Sequence, residues 1–321
     1  MRDQRLDRLA DVIVRYSTRI KRGDLVAIVC DPIALPLVQS VYARVIELGA
    51  HPYWAPASED LAEILLETAS DEQIEYVSPI QMNQVETVDV LIKFWAETNT
   101  RRFSRIAPER LARQAAARKP YLTRFMNRAA EGDLRWCGTL YPTPASAQDA
   151  EMSMQAYEDF VFRAGLLHLA DPVAAWQEVA ERQQRLRDWL QQKRTVRFRH
   201  PGTGHDDATD LTVDVDGATW INCCGHENFP DGEVFAGPQG VDGVVHYSFP
   251  GVYQGREVEG IRLEFKAGRC VGASAKKNEE FLISMLDLDE GARTLGEIAI
   301  GTNYAIREFT KNTLFDEKIG G

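Results

Sequence analysis

The 321-residue sequence lacks any apolar run approaching the ~18 residues that would cross a bilayer, so no membrane partner is expected. Its opening residues, Met1-Arg2-Asp3-Gln4-Arg5-Leu6-Asp7, are charged and show neither the apolar stretch nor the cleavage site of a secretory leader, which points to a cytoplasmic protein. Cysteine is scarce and scattered: Cys30, Cys137, Cys223, Cys224 and Cys270 form no C-x-x-C, and an odd set suits reduced thiols better than a disulfide framework. Positive charge is short as well. The 37 Lys and Arg residues face 48 Asp and Glu, a net charge of -11 that would repel a phosphate backbone, so no nucleic acid partner is expected. Glycine is missing where a nucleotide fold needs it. The turn Asp31-Pro32-Ile33-Ala34-Leu35-Pro36 has an acid where phosphate would sit, which excludes a dinucleotide or P-loop reading. None of the six histidines stands in H-E-x-x-H spacing.

What is present is an ordinary globular composition, 44% hydrophobic and 26% charged. A chain of this length exceeds what one core usually holds, which predicts two domains. Leu6, Leu9, Ile13, Tyr16 and Ile20 recur at helical spacing over residues 3–21, with Gly23 as a stop. The run Leu25–Cys30 reads as a strand buried on both faces, and Asp31-Pro32 starts a helix that Gly49 ends. Strands are expected over 51–55 and 88–94, with helices between them, one of them opened by Ser70 and Gln73 in capping-box spacing. This alternation predicts an α/β fold class: a doubly wound, mostly parallel N-terminal domain over residues 1–193, ending in a connecting helix that begins at Asp171-Pro172. Over residues 194–321 the period falls to two, which predicts a β-rich α+β C-terminal domain. There, Leu211, Val213 and Val215 turn at Asp216-Gly217 into residues 219–223 as a hairpin. Further strands are expected over 241–248, 257–265 and 269–274, and helices over 279–286 and 292–300.

Few residues stand out as carriers of chemistry. The segment Gly225-His226-Glu227-Asn228-Phe229-Pro230-Asp231-Gly232-Glu233-Val234-Phe235 gathers one imidazole and three acids in a turn that enters a strand; it reads either as a functional turn or as an exposed acidic one. Glu297 is one acid among apolar residues, either buried and needing a cation or pointing outward from a helix. Adjacent Cys223 and Cys224 point to opposite faces of a strand and read as core thiols, and His205-Asp206-Asp207 reads as a loop tip. Arg101, Arg102, Arg105, Arg110, Arg113, Arg118 and Lys119 crowd one helical region and read as a solvated face.

At these positions the chain resembles the aminopeptidase T family of two-metal exopeptidases. The resemblance rests on Phe229-Pro230-Asp231-Gly232-Glu233-Val234-Phe235, on Gly251-Val252-Tyr253-Gln254-Gly255-Arg256-Glu257-Val258-Glu259-Gly260-Ile261-Arg262-Leu263, and on Asp289-Glu290-Gly291-Ala292-Arg293 through Leu295-Gly296-Glu297. It implies that Glu233 and Glu297 are metal ligands, with two divalent ions (Zn, Co, Mg or Mn) in the complete site. It also implies release of amino-terminal residues from peptide substrates, and a homodimer. The family's remaining ligands, a histidine, a tyrosine and a closing His-x-Asp, would fall beyond Gly321. Two glutamates cannot satisfy two cations, which predicts a truncated enzyme or an incomplete relative. Two alternatives stay open: a mononuclear iron dihydroxypyridine-type dioxygenase, whose fold the family shares, and a non-catalytic peptide-binding relative.

Overall fold

Short apolar runs between capped helices assemble parallel sheets, because a strand covered on both faces needs no polar side. The computed structural model describes residues 3–202, 207–253 and 256–320. His205 and Asp206, and Gln254 and Gly255 of the quoted signature, lie outside the described residues. In chain order the strands are β1 (Leu25–Cys30), β2 (His51–Pro56), β3 (Val90–Trp95), β4 (Arg135–Leu140), β5 (Thr195–His200), β6 (Thr209–Asp214) and β7 (Ile221–Cys223). They continue as β8 (Asn228–Phe229), β9 (Glu233–Ala236), β10 (Gly240–His246), β11 (Gly251–Tyr253), β12 (Arg256–Val258), β13 (Arg262–Lys266), β14 (Arg269–Ser274) and β15 (Ile298–Gly301). The chain divides into two compact units, Met1–Trp176 with Gly225–Pro230, and Gln177–Cys224 with Asp231–Gly321. The change of unit falls at Trp176 and Gln177, within the helix Pro172–Leu190, where the sequence suggested residue 193.

The first unit carries a parallel sheet in the order β2-β1-β3-β4-β8, the doubly wound arrangement expected from alternating strands and helices. Val26, Ala27 and Ile28 of β1 are fully buried between β2 and β3. Asp31 accepts a hydrogen bond from the Ile33 amide and starts the segment leading into the helix Leu35–Glu47, which buries Leu37, Val38, Val41 and Val45. Ser70 and Gln73 form the expected capping box. The first helix differs from expectation in its second half, where Gln4–Asp11 passes into a π-helical turn, Val12–Ser17. All five residues of the expected stripe are nonetheless buried. The basic helical region is held by neighbouring groups: Arg102 pairs with Glu63 at 2.9 Å, Arg113 with Glu75 at 2.6 Å, and Arg110 donates to the Leu66 and Ala69 carbonyls. Three of its seven cations thus tie helices together, while Arg101, Arg105 and Lys119 are exposed.

The second unit is built on antiparallel sheets, β14-β13-β10-β6-β5 and β15-β9-β7, plus the β11–β12 ribbon. Leu211, Val213, Trp220, Val234, Val241, Phe265 and Ile298 share its core. Two expectations are corrected here. The turn at Asp216-Gly217 closes no hairpin, since β6 pairs with β5 and β10 while β7 pairs with β9. Gln191 explains the divergence: its side chain donates to the Ala218 carbonyl at 2.7 Å and accepts from the Trp220 amide at 3.0 Å, taking backbone groups that a hairpin would have paired. Residues 292–300 do not form a helix. Gly296 and the β-branched Ile298 and Ile300 weaken a helix there, while β9 offers an edge on which Ile298–Gly301 pairs as β15.

Candidate metal centre

The centre begins at the turn that leads into β9, within the second unit. Gly232 has φ +127°, and a Cβ there would sit 2.7 Å from the Asn303 Cβ, so only glycine lets this turn lie against Thr302 and Asn303. Thr302 donates its amide to the Gly232 carbonyl at 2.7 Å, and the Asn303 side chain donates to the Asp231 carbonyl at 2.8 Å. Asp231 and Glu233 flank Gly232 and are 1% and 5% exposed. Across the ladder, Cys223 of β7 stands directly opposite Glu233 of β9, which puts both side chains on one face. One ligand atom from each of Cys223, Asp231 and Glu233 lies within 4.8 Å of the other two.

On the other side of β9, Glu233 faces Gly301 of β15. A Cβ on Gly301 would fall 2.1 Å from the Ile319 carbonyl oxygen, so the missing side chain lets residues 318–320 cross here. Asn303 fixes that crossing: its amide donates to the Lys318 carbonyl at 3.0 Å, and its carbonyl accepts from the Gly320 amide at 3.2 Å. Lys318 is thereby buried completely, with Nζ 3.3 Å from Glu233 Oε1 and in contact with Glu317 Oε1. Behind the ladder, Gln183 Nε2 lies 2.9 Å from the Cys223 carbonyl and 3.0 Å from the Glu233 carbonyl, clamping the two ligand-bearing strands.

The electrostatics follow from crowded, buried acids. Burial raises the Glu233 carboxyl, Lys318 opposes the rise, and Glu317 and Asp231 add to it, leaving the pKa at about 7. Burial opposes charge on Lys318 too, but Asp231, Glu233 and Glu317 outweigh it and hold the ammonium above its ordinary value. One ammonium thus faces three carboxyl groups. Glu233 Oε2 is buried with no hydrogen-bond partner among the described residues, a costly state for an acceptor that can ionise. A divalent cation would answer both the missing charge and the missing partner. The residues present fit such an ion: three donors of oxygen and sulfur type converge as in a site that keeps a fourth position open.

Glu297 lies elsewhere in this unit. It is exposed and precedes β15 by one residue, while Glu233 faces the far end of that strand, so their Cα positions lie roughly 13 Å apart along the ladder at ~3.3 Å per residue. It lines an open cavity of about 400 Å³ with apolar walls from Phe198, Leu211, Val245 and Leu295, and with Arg199 and His246 among its polar residues. Burial raises its carboxyl, Glu317 raises it further and Lys318 lowers it. Glu297 is therefore not one of the three clustered donors, although its carboxyl and that of Glu233 both feel the charges of Glu317 and Lys318. His226 belongs to the first unit, where its ring stacks on Tyr16 at 4.9 Å and Nε2 lies 2.9 Å from Arg19. Sequence reading missed Asp231, Cys223, Gln183 and Lys318 as partners of Glu233. Only the Asp-Gly-Glu string hinted at Asp231; the other three converge through strand register and chain crossing.

The chain matches the family described as thermophilic metalloprotease (M29) over residues 2–321. It is 28% identical to Aminopeptidase 2 of Geobacillus stearothermophilus over 342 residues, spanning 98% of this chain and 81% of that protein. It is 32% identical to Aminopeptidase T of Thermus aquaticus over 215 residues, 61% of this chain and 51% of that protein. Among solved structures, wild-type AmpT from Thermus thermophilus superposes with TM-score 0.83 over 99% of this chain and 84% of that one, at 24% identity, a likeness of fold. These relatives lend no support to an iron dioxygenase, to a non-catalytic relative, or to the expectation of an incomplete site. The chain belongs to the thermophilic metalloprotease (M29) family.

Proposed function

We propose that this chain is a metal-dependent aminopeptidase that releases amino-terminal residues from peptides, with Glu233 and Glu297 as its metal-binding carboxylates. The observation that carries the reading is Glu233: buried, with one oxygen lacking a hydrogen-bond partner among the described residues and three carboxyl groups facing the single Lys318 ammonium. Its relatives' names, Aminopeptidase 2 and Aminopeptidase T, supply the reaction class. Glu233 and Glu297 would hold a divalent cation whose Lewis acidity would serve the scissile carbonyl and the attacking water. The chain's own residues do the positioning. Gln183 fixes the strands bearing Cys223 and Glu233, Lys318 holds Glu233 Oε1, and the cavity beside Glu297 suits an apolar side chain of the departing residue.

Two divalent ions per site, drawn from Zn, Co, Mg and Mn, are the finer form of this reading, and Glu297 would serve the second. The same reading places the enzyme in the cytoplasm as a homodimer, which cell fractionation and sedimentation equilibrium would check. Hydrolysis of leucyl-p-nitroanilide in the presence of each metal, for wild type, Glu233→Ala and Glu297→Ala, is the direct test. We expect chelator-sensitive turnover that drops at least about a hundredfold in each variant, as for loss of a group acting on transition-state charge. Undiminished turnover in either variant would remove that residue from the metal site.

A further inference from the structure

We propose that Cys223 and Asp231 join Glu233 as ligands of a single cation, making a one-thiolate, two-carboxylate site that selects zinc or cobalt over magnesium or manganese. This rests on the reading of Glu233 as a metal ligand and goes beyond it in ligand set and metal class. The geometry comes first. The three donor atoms lie within 4.8 Å of one another, and a tetrahedral zinc with bonds of ~2.0–2.3 Å separates its ligands by roughly 3.3–3.8 Å, so closure needs at most about 1.5 Å of adjustment. Glu233 supplies an independent reason to expect an ion: the residue is 5% exposed and its Oε2 has no hydrogen-bond partner among the described residues.

Rigid elements hold the donors. Cys223 and Glu233 are paired across β7 and β9, and one Gln183 amide bridges both of their carbonyls. Cys224 lies beyond the end of β7 and outside the three-donor group, so Cys223 is the thiol that reaches the acids. Sulfur decides the metal. Magnesium and manganese favour oxygen donors, whereas zinc and cobalt accept thiolate beside carboxylate. Charge comes close to balance as well. On binding, the Cys223 thiol releases its proton to solvent, and three anionic ligands face one divalent ion and the Lys318 ammonium, which the exposed Glu317 carboxyl also touches.

The test titrates Co²⁺ into the full-length, chelator-stripped protein and reads absorption. Wild type should give visible bands of four-coordinate cobalt together with a near-ultraviolet sulfur-to-cobalt charge-transfer band. Cys223→Ser should keep the visible bands and lose the ultraviolet band. Calorimetry with Zn²⁺ should show Cys223→Ser and Asp231→Asn weakened by about tenfold or more, since even outer partners of metal ligands cost ~10–100-fold, while Mn²⁺ binding to Cys223→Ser stays unchanged. Circular dichroism checks that each variant folds. Cobalt bound by wild type without the sulfur band, or a band surviving in Cys223→Ser, overturns the assignment and leaves Glu233 as a ligand. No cobalt or zinc binding by wild type overturns the cation reading of Glu233 itself, and this assignment with it.

Discussion

Replacing Lys318 by methionine keeps most of the side chain's volume and removes its charge, so the effect reports what the ammonium does for Glu233, Glu317 and Asp231, and its pH-dependent part reports on Glu233. In the folded protein Lys318 is fully buried and 3.3 Å from Glu233 Oε1, and removing one partner of a buried pair typically costs ~3–5 kcal/mol. The cost must depend on pH, because an isolated carboxylate can escape it by taking a proton. Glu233 ionises at about 7 when folded and near 4.5 when unfolded, so between those values the native state binds more protons and stability falls as pH rises. Without Lys318 the folded value moves higher and the falling limb extends above pH 7, at up to about 1.4 kcal/mol per pH unit. The variant's deficit should therefore be small near pH 5.5 to 6, where Glu233 is protonated in both proteins, and grow to the full amount above pH 8. Native-state hydrogen exchange of the slowest amides in β9 and β15, with chelator present, reads this unit's stability directly. A deficit below about 1 kcal/mol at pH 8, or one that does not change with pH, would show that Lys318 fills space and that Glu233 is satisfied in another way.

Gly301→Ala places a Cβ where the Ile319 carbonyl now lies, 2.1 Å away, and should destabilise the second unit by ~1–3 kcal/mol in thermal unfolding; an unchanged midpoint would mean the crossing is loose. Gln183→Leu removes the amide shared by the Cys223 and Glu233 carbonyls and should cost ~1–3 kcal/mol, with weaker zinc binding in the same calorimetric assay; stability lost with metal affinity intact would make Gln183 a packing residue alone. The hydrolysis test of Glu233→Ala and Glu297→Ala and the cobalt spectrum of Cys223→Ser complete the set. Together they separate the site's fold, its cation and its chemistry.

The sequence by itself determined what short-range chemistry controls. The unbroken apolar run of β1 must be covered on both faces, Asp31 and Ser70 cap helices through groups two or three residues away, and strands alternating with helices leave a parallel sheet as the consistent outcome. Likewise Pro230-Asp231-Gly232 had to turn into a strand, with Glu233 as its first residue. Only the tertiary structure decided the rest. Within 292–300 the expected helix gave way to the strand Ile298–Gly301 because β9 had an edge to offer, and β7 parted from β6 where Gln191 took the Ala218 carbonyl and the Trp220 amide. Register between β7 and β9 set Cys223 against Glu233, and the bare Gly301 let a distant segment cross and bury Lys318 beside it. Such encounters follow from packing between segments far apart in the chain, to which local periodicity and capping are blind, and the ligand cluster lies where those segments meet.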